Sequence, residues 1–133
     1  MRNKFLRVLS FFTFPAIVFF VNLFLDYFFD IYSLFPWMDI PMHFLGGVSV
    51  GYMSILFLGF FKEENLIEIK NKLVFVLLVV CAVSMIAVLW EFYEFVMVSY
   101  FGFNWPLGYE DTLMDLFFGI LGGIFAGIVF SKV

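Results

Sequence analysis

Four long apolar runs, at about residues 8–25, 43–61, 73–98 and 112–130, account for most of the chain, and the charged residues fall between them or at their ends. Each run approaches the roughly 20 residues a helix needs to cross the hydrocarbon core of a bilayer. In lipid the backbone must satisfy its own hydrogen bonds, which leaves helices or a closed barrel. The strict period-two alternation of a membrane strand is absent from these Phe-, Leu- and Val-rich runs. The pattern predicts an all-α, integral membrane four-helix bundle, with residues 1–133 forming one transmembrane domain.

Composition agrees. The chain is 65% hydrophobic and 14% charged, whereas globular domains are about a quarter charged. A net charge of -4 lacks the basic footprint of nucleic-acid binding. Arg2, Lys4 and Arg7 precede the first run as in a secretory signal, but no small-x-small cleavage pattern follows, so that run reads as a retained anchor.

The basic residues fall in three places: Arg2, Lys4 and Arg7; Lys62, Lys70 and Lys72; and Lys132. A four-span chain puts these segments on one side, and the positive-inside rule makes that side cytoplasmic. Both termini are then expected in the cytoplasm, in the plasma (inner) membrane of a bacterium or archaeon. Eight carboxylates, Asp26, Asp30, Asp39, Glu91, Glu94, Glu110, Asp111 and Asp115, belong to the opposite end, with no Lys or Arg beside them. Crowded like charges must be hydrated, protonated or neutralised by a bound cation.

Six outer-end residues form three pairs with helical spacing. Asp39 and His43 are four apart at the start of the second run, Glu91 and Glu94 three apart near the end of the third, and Asp111 and Asp115 four apart at the start of the fourth. Each has a structural alternative. Asp39 and Asp111 suit N-caps, His43 an interfacial position, and the glutamates could reach the headgroups. Apolar residues continue beyond Glu91 and Glu94, however, and a charge at hydrocarbon depth costs roughly 2.5–3.5 kcal/mol. Topology brings the pairs to one depth on three neighbouring helices. One imidazole and five carboxylates make an oxygen-rich shell suited to Mg²⁺, Mn²⁺, Ca²⁺ or Fe²⁺, or with the imidazole to Zn²⁺, and numerous enough for two ions.

Small residues recur at four-residue steps, Gly47 and Gly51 in the second run and Gly119, Gly123 and Gly127 in the fourth, predicting close packing of the last three helices. The first helix, with Pro15, Asn22, Asp26 and Asp30, reads mainly as anchor and wall. The aromatic loop 100–109 suits either a lid lying along the headgroups or an ordinary interfacial connection. Cys81 lies mid-span as a small apolar filler.

Asp39-x-x-x-His43-Phe44-x-Gly46-Gly47, Trp90-Glu91-x-x-Glu94 and Asp111-Thr112-x-x-Asp115-Leu116, followed by Gly122, resemble the YjdF-type family of bacterial membrane proteins and, more distantly, the VanZ-like group. The resemblance covers about residues 39–123. What it implies about activity is confined to an association of VanZ-like proteins with low-level resistance to teicoplanin-type glycopeptides.

From the residues, three functions are open. One is a metal-dependent hydrolase or transferase acting on a lipid-embedded or lipid-linked phosphoryl or acyl substrate. Asp39, His43, Glu91, Glu94, Asp111 and Asp115 would hold Mg, Mn, Zn or Fe, with His43, Glu91 and Glu94 in catalytic roles. The second is a cation- or proton-handling transport component, which would need a homo-oligomer, because Ser54, Ser84 and Ser131 are almost the only polar groups in the inner half. The third is a non-catalytic envelope protein whose partners are membrane lipids. Side-chain nucleophilic catalysis is disfavoured: no Ser-His-Asp pattern or phosphate-cradling Gly loop is identifiable, and Cys81 is at the wrong depth.

Overall fold

The computed structural model describes residues 3–103, 105 and 107–131; Arg2 and Lys132, two of the basic residues used to orient the chain, lie outside them. The expected all-helical architecture is present, with no strand among the described residues. Four helical segments are long and apolar enough to cross a membrane.

The first run forms two helices, α1 (Lys4–Phe11) and α2 (Thr13–Phe29), interrupted at Phe12. Pro15 explains the break: it has no N–H to offer the carbonyl of Phe11, and its ring crowds that carbonyl. Phe12 instead donates to Leu9 in a tighter turn at 3.3 Å. α2 ends where Asp30 turns left-handed (φ 47°). A short α3 (Ile31–Leu34) and a 3-10 turn (Pro36–Met38) then lead into α4 (Asp39–Glu63). α5 (Lys72–Phe101) starts at Asn71, whose Oδ1 accepts from the N–H groups of Leu73 and Val74 at 2.8 and 3.3 Å, and stops at Gly102 (φ 74°). α6 (Tyr109–Val129) completes the chain. The helices outrun the apolar stretches at the acidic end, so Asp39 and Asp111 lie within helices rather than before them.

Most large apolar side chains point away from the bundle, Phe20 65% exposed and Phe92 64%, while the interior holds Phe75, Val79, Val83, Ala126 and glycines. In water such a surface would aggregate; in a bilayer it meets hydrocarbon. Cys81 is among the outward-facing residues.

The most extensive interface joins α4 to α6, followed by α5 on α6, while α2 packs on α4. A Cβ on Gly47 would overlap the Gly119 carbonyl oxygen, and one on Gly122 would overlap the carbonyl oxygen of Phe44. The predicted stripe on α6 divides between neighbours. Gly119 lies between Gly47 of α4 and Ala87 of α5, whereas a Cβ on Gly123 or Gly127 would meet Val83 or Val76 of α5. Gly122, outside the stripe, makes the second close approach to α4.

At the basic end Lys4 pairs with Glu64 at 2.6 Å and Arg7 with Glu63, fastening α1 to the end of α4. The same fold carries the three acidic pairs to the other end.

Candidate metal centre

α4, α5 and α6 each bring one pair of the sequence-singled residues to the acidic end. Asp39 occupies the first turn of α4, whose N-cap residue is Met38, and Asp111 the first turn of α6, whose N-cap residue is Gly108; neither helix has a side-chain cap bond. The N-cap alternatives for Asp39 and Asp111 are therefore not realised. Asp115 lies one turn further in and is 3% exposed.

Two groups of three form around Asp115. His43 Nε2 lies 3.3 Å from Asp39 Oδ1 and 3.5 Å from Asp115 Oδ1, both beyond the usual N–H···O range. They are ion-pair distances when the imidazole is protonated, and they also match ligands sharing one ion at about 2.1 Å, which stand about 3.0 Å apart in an octahedron and 3.4 Å in a tetrahedron. Glu91, Glu94 and Asp115 form the second group, and within each group ligand atoms lie within 4.8 Å of one another. That spacing is looser than a closed shell and needs side chains to draw inward around an ion.

Asp111 belongs to neither group. It lines, with Asp39, Glu94 and Asp115, a cavity of about 20 Å³, room for a single water-sized occupant. All six predicted residues thus converge on one end of the bundle, with Asp115 at the centre and Asp111 at the rim.

The whole chain also has a family context. Residues 2–133 match the family model described as "Predicted membrane protein (DUF2238)", which is the YjdF-type family. The chain belongs to this family. No curated protein and no solved structure matches it. The DUF2238 match includes the first span, which the three motifs had left out.

In this DUF2238 protein the first span is more than the wall expected from sequence. Asn22 of α2 and Tyr32 of α3 line the small acidic cavity, and the Tyr32 hydroxyl donates to Asn22 Oδ1. Burial, reinforced by the nearby carboxylates of Asp39 and Asp26, pushes the Tyr32 phenol well above its ordinary pKa and keeps it a neutral donor. Asp26 is not idle at the exposed end: Trp105 donates its Nε1–H to Asp26 Oδ2 at 2.8 Å. Trp105 also stacks near Tyr93 and Phe103, at centroid separations of 6.0 and 4.6 Å, placing part of the aromatic loop over the cluster. Asn104 and Pro106 of that loop lie outside the described residues.

Trp90 donates to Glu94 Oε1 at 2.7 Å, holding that carboxylate toward the bundle rather than the headgroups. Sequence reasoning placed Trp105 only as part of the aromatic loop and had no role for Tyr32. The available signal was Asn22, an amide within an otherwise aromatic and aliphatic span.

Proposed function

We propose that the Asp39, His43, Glu91, Glu94, Asp111 and Asp115 cluster binds divalent metal, among Mg, Mn, Zn and Fe, and hydrolyses or transfers a lipid-linked phosphoryl or acyl group. The carrying observation is the position of Asp115, almost fully buried and shared by two potential ligand groups. A buried carboxylate among other carboxylates is costly unless a cation compensates it, and His43, within ion-pair distance of both Asp39 and Asp115, is one basic group for the cluster's five carboxylates.

The metal would supply a polarised water and a clamp for developing oxyanion charge. Asp39, His43 and Asp115 would form one side of the shell. Glu94, oriented by Trp90, would take the proton from water and return it to the leaving oxygen as the hydroxyl adds to the phosphoryl or acyl centre. Tyr32 and Trp105 would restrict water at the rim.

A transport path finds no support at the serines. Ser54 and Ser84 each donate to a carbonyl of their own helix at 2.8 Å, and Ser131, whose Oγ is buried without a partner, is a single group at the end of the bundle away from the acids. The more distant kinship to VanZ-like proteins is proposed on the shared motifs alone.

The enzymatic reading predicts metal-dependent turnover when metal-stripped protein, reconstituted in bacterial lipid extract, is supplied with Mg²⁺, Mn²⁺ or Zn²⁺ and the lipids are followed by mass spectrometry. His43→Ala should reduce product at least a hundredfold. Lipids unchanged by the wild-type protein with every metal would favour the non-catalytic envelope role.

The same proposal places the acidic end outside and both termini in the cytoplasm, from the basic residues clustered at the opposite end. With Cys81 replaced by Ser, a membrane-impermeant maleimide should label Glu110→Cys on intact cells and leave Glu64→Cys unlabelled. The reverse labelling would invert the topology.

A further inference from the structure

A second cavity, of about 390 Å³, lies between the first three spans beneath the acidic cluster. Its walls include Ala16 and Phe19 of α2, Gly46 and Val50 of α4, and Ala87 of α5. Its size falls within the range of small-molecule sites. The cavity is mostly apolar along its length, where the hydroxyl of Ser49 is taken up by the Gly46 carbonyl, and its polar groups gather at one end, where His43, Glu94, Asn22 and Tyr32 line it. Three of those four, Asn22, Tyr32 and Glu94, also line the small acidic cavity, so the two spaces are adjoining parts of one amphipathic cleft.

Two further observations indicate what fits there. Along the first span the lining runs from Phe12, at the head of α2, to Asn22, about 15 Å of helix rise and about half of a 30 Å hydrocarbon core. That is the depth of one leaflet. Gly46 is also unexplained by helix packing: a Cβ there would meet nothing within 4 Å, whereas the adjacent Gly47 is pressed against Gly119. The missing side chain at Gly46, one turn from His43, leaves the cleft open where its apolar and polar parts join. The first span packs on the second but has little contact with the third, chiefly Phe19 edge-on to Trp90 at 5.8 Å, so a chain could enter from the bilayer between them.

We propose that this cleft holds one hydrocarbon chain of an amphiphilic lipid, with the polar head at the Asp39, His43 and Glu94 end. The inference rests on the cluster as the place where a lipid head is handled, and it adds how that lipid is held. Hydrocarbon surrounds the bundle on all sides, and an apolar cleft one leaflet deep with a polar end matches the form of a single-chain amphiphile.

The test uses protein in phosphatidylcholine vesicles doped with lysophosphatidylcholine carrying a mid-chain diazirine. Irradiation should cross-link the probe to peptides containing Ala16 and Gly46. Two plugs from opposite walls, Gly46→Phe and Ala16→Phe, should each lower that yield at least tenfold. Gly59→Phe should not, because Gly59 also faces open space but lies outside the cleft. Equal yields in wild type and both plugs, or cross-links confined to outward residues such as Leu77 and Phe92, would overturn the proposal. Mn²⁺ binding by the same proteins reads the cluster separately. Retained binding in the plugs shows that they are folded. Cross-linking that obeys the plugs in a protein that binds no Mn²⁺ would sustain the cleft and overturn the metal reading.

Discussion

Asp115→Asn is expected to weaken Mn²⁺ binding more than a hundredfold, with little loss of stability in the metal-free protein. Asp115 supplies an oxygen to both potential ligand groups, so neutralising it damages both, whereas Asp39→Asn or Glu91→Gln removes a ligand from one. Loss of partners that only orient ligands typically costs ten- to a hundredfold, and a shared ligand should cost more. Asp111→Asn, at the rim, should cost tenfold or less. The expected effect on stability is opposite to that of ordinary core damage. A carboxylate 3% exposed among other acids, with His43 at 3.5 Å already shared with Asp39, is undercompensated without a further cation, and asparagine has nearly its shape without its charge. Thermal unfolding of metal-stripped protein should therefore be unchanged or shifted upward by Asp115→Asn, while the upward shift produced by Mn²⁺ in the wild type disappears. A purely structural Asp115 would give the contrary pair: a lowered midpoint and no metal response in either protein.

Gly47→Leu and Gly122→Leu are expected to abolish the native bundle. At both positions even a methyl group would overlap a backbone carbonyl across the α4–α6 interface, and a backbone cannot step aside as a side-chain tip can. Overpacking of a conventional core costs about 1–3 kcal/mol; separating two backbones in their most extensive contact should exceed that. Because Asp39 and His43 ride on α4 and Asp115 on α6, helix separation would also pull the first ligand group apart. Size-exclusion chromatography and Mn²⁺ titration should both report the loss. Gly46→Ala, one residue away, should retain a monodisperse profile and the metal response.

The contrast between these neighbouring glycines marks where sequence reasoning succeeds and where it stops. Four spans, their order, and the convergence of the acids follow from hydropathy and chain direction, because a helix crossing a bilayer has only two ends to offer. Close packing follows from the presence of small residues, but not which neighbour each one faces. Rotation about the helix axis decides that Gly123 and Gly127 meet α5 while Gly122 meets α4.

The site was legible in the same partial way. Spacing on each helix pairs Asp39 with His43 and Glu91 with Glu94, whereas the sharing of Asp115 depends on three helices arriving in register. Asp39 and Asp111 resemble caps because they stand where the apolar runs begin. The helices start earlier, from Pro36 in a 3-10 turn and from Tyr109, so both acids end up inside them. The Trp105 to Asp26 bond was hidden because it spans 79 residues, and Tyr32 reaches Asn22 only because the chain turns back after α2; no local pattern encodes either.

The most direct test of the central claim is elemental analysis of the detergent-purified protein beside the His43→Ala, Glu91→Gln double variant, after equilibration with Mg²⁺, Mn²⁺, Zn²⁺ or Fe²⁺ and removal of free metal. The cluster as a metal centre predicts near-stoichiometric retention of at least one of these ions by the wild type and its loss from the double variant. Equal metal content in the two proteins, or none in either, would contradict it.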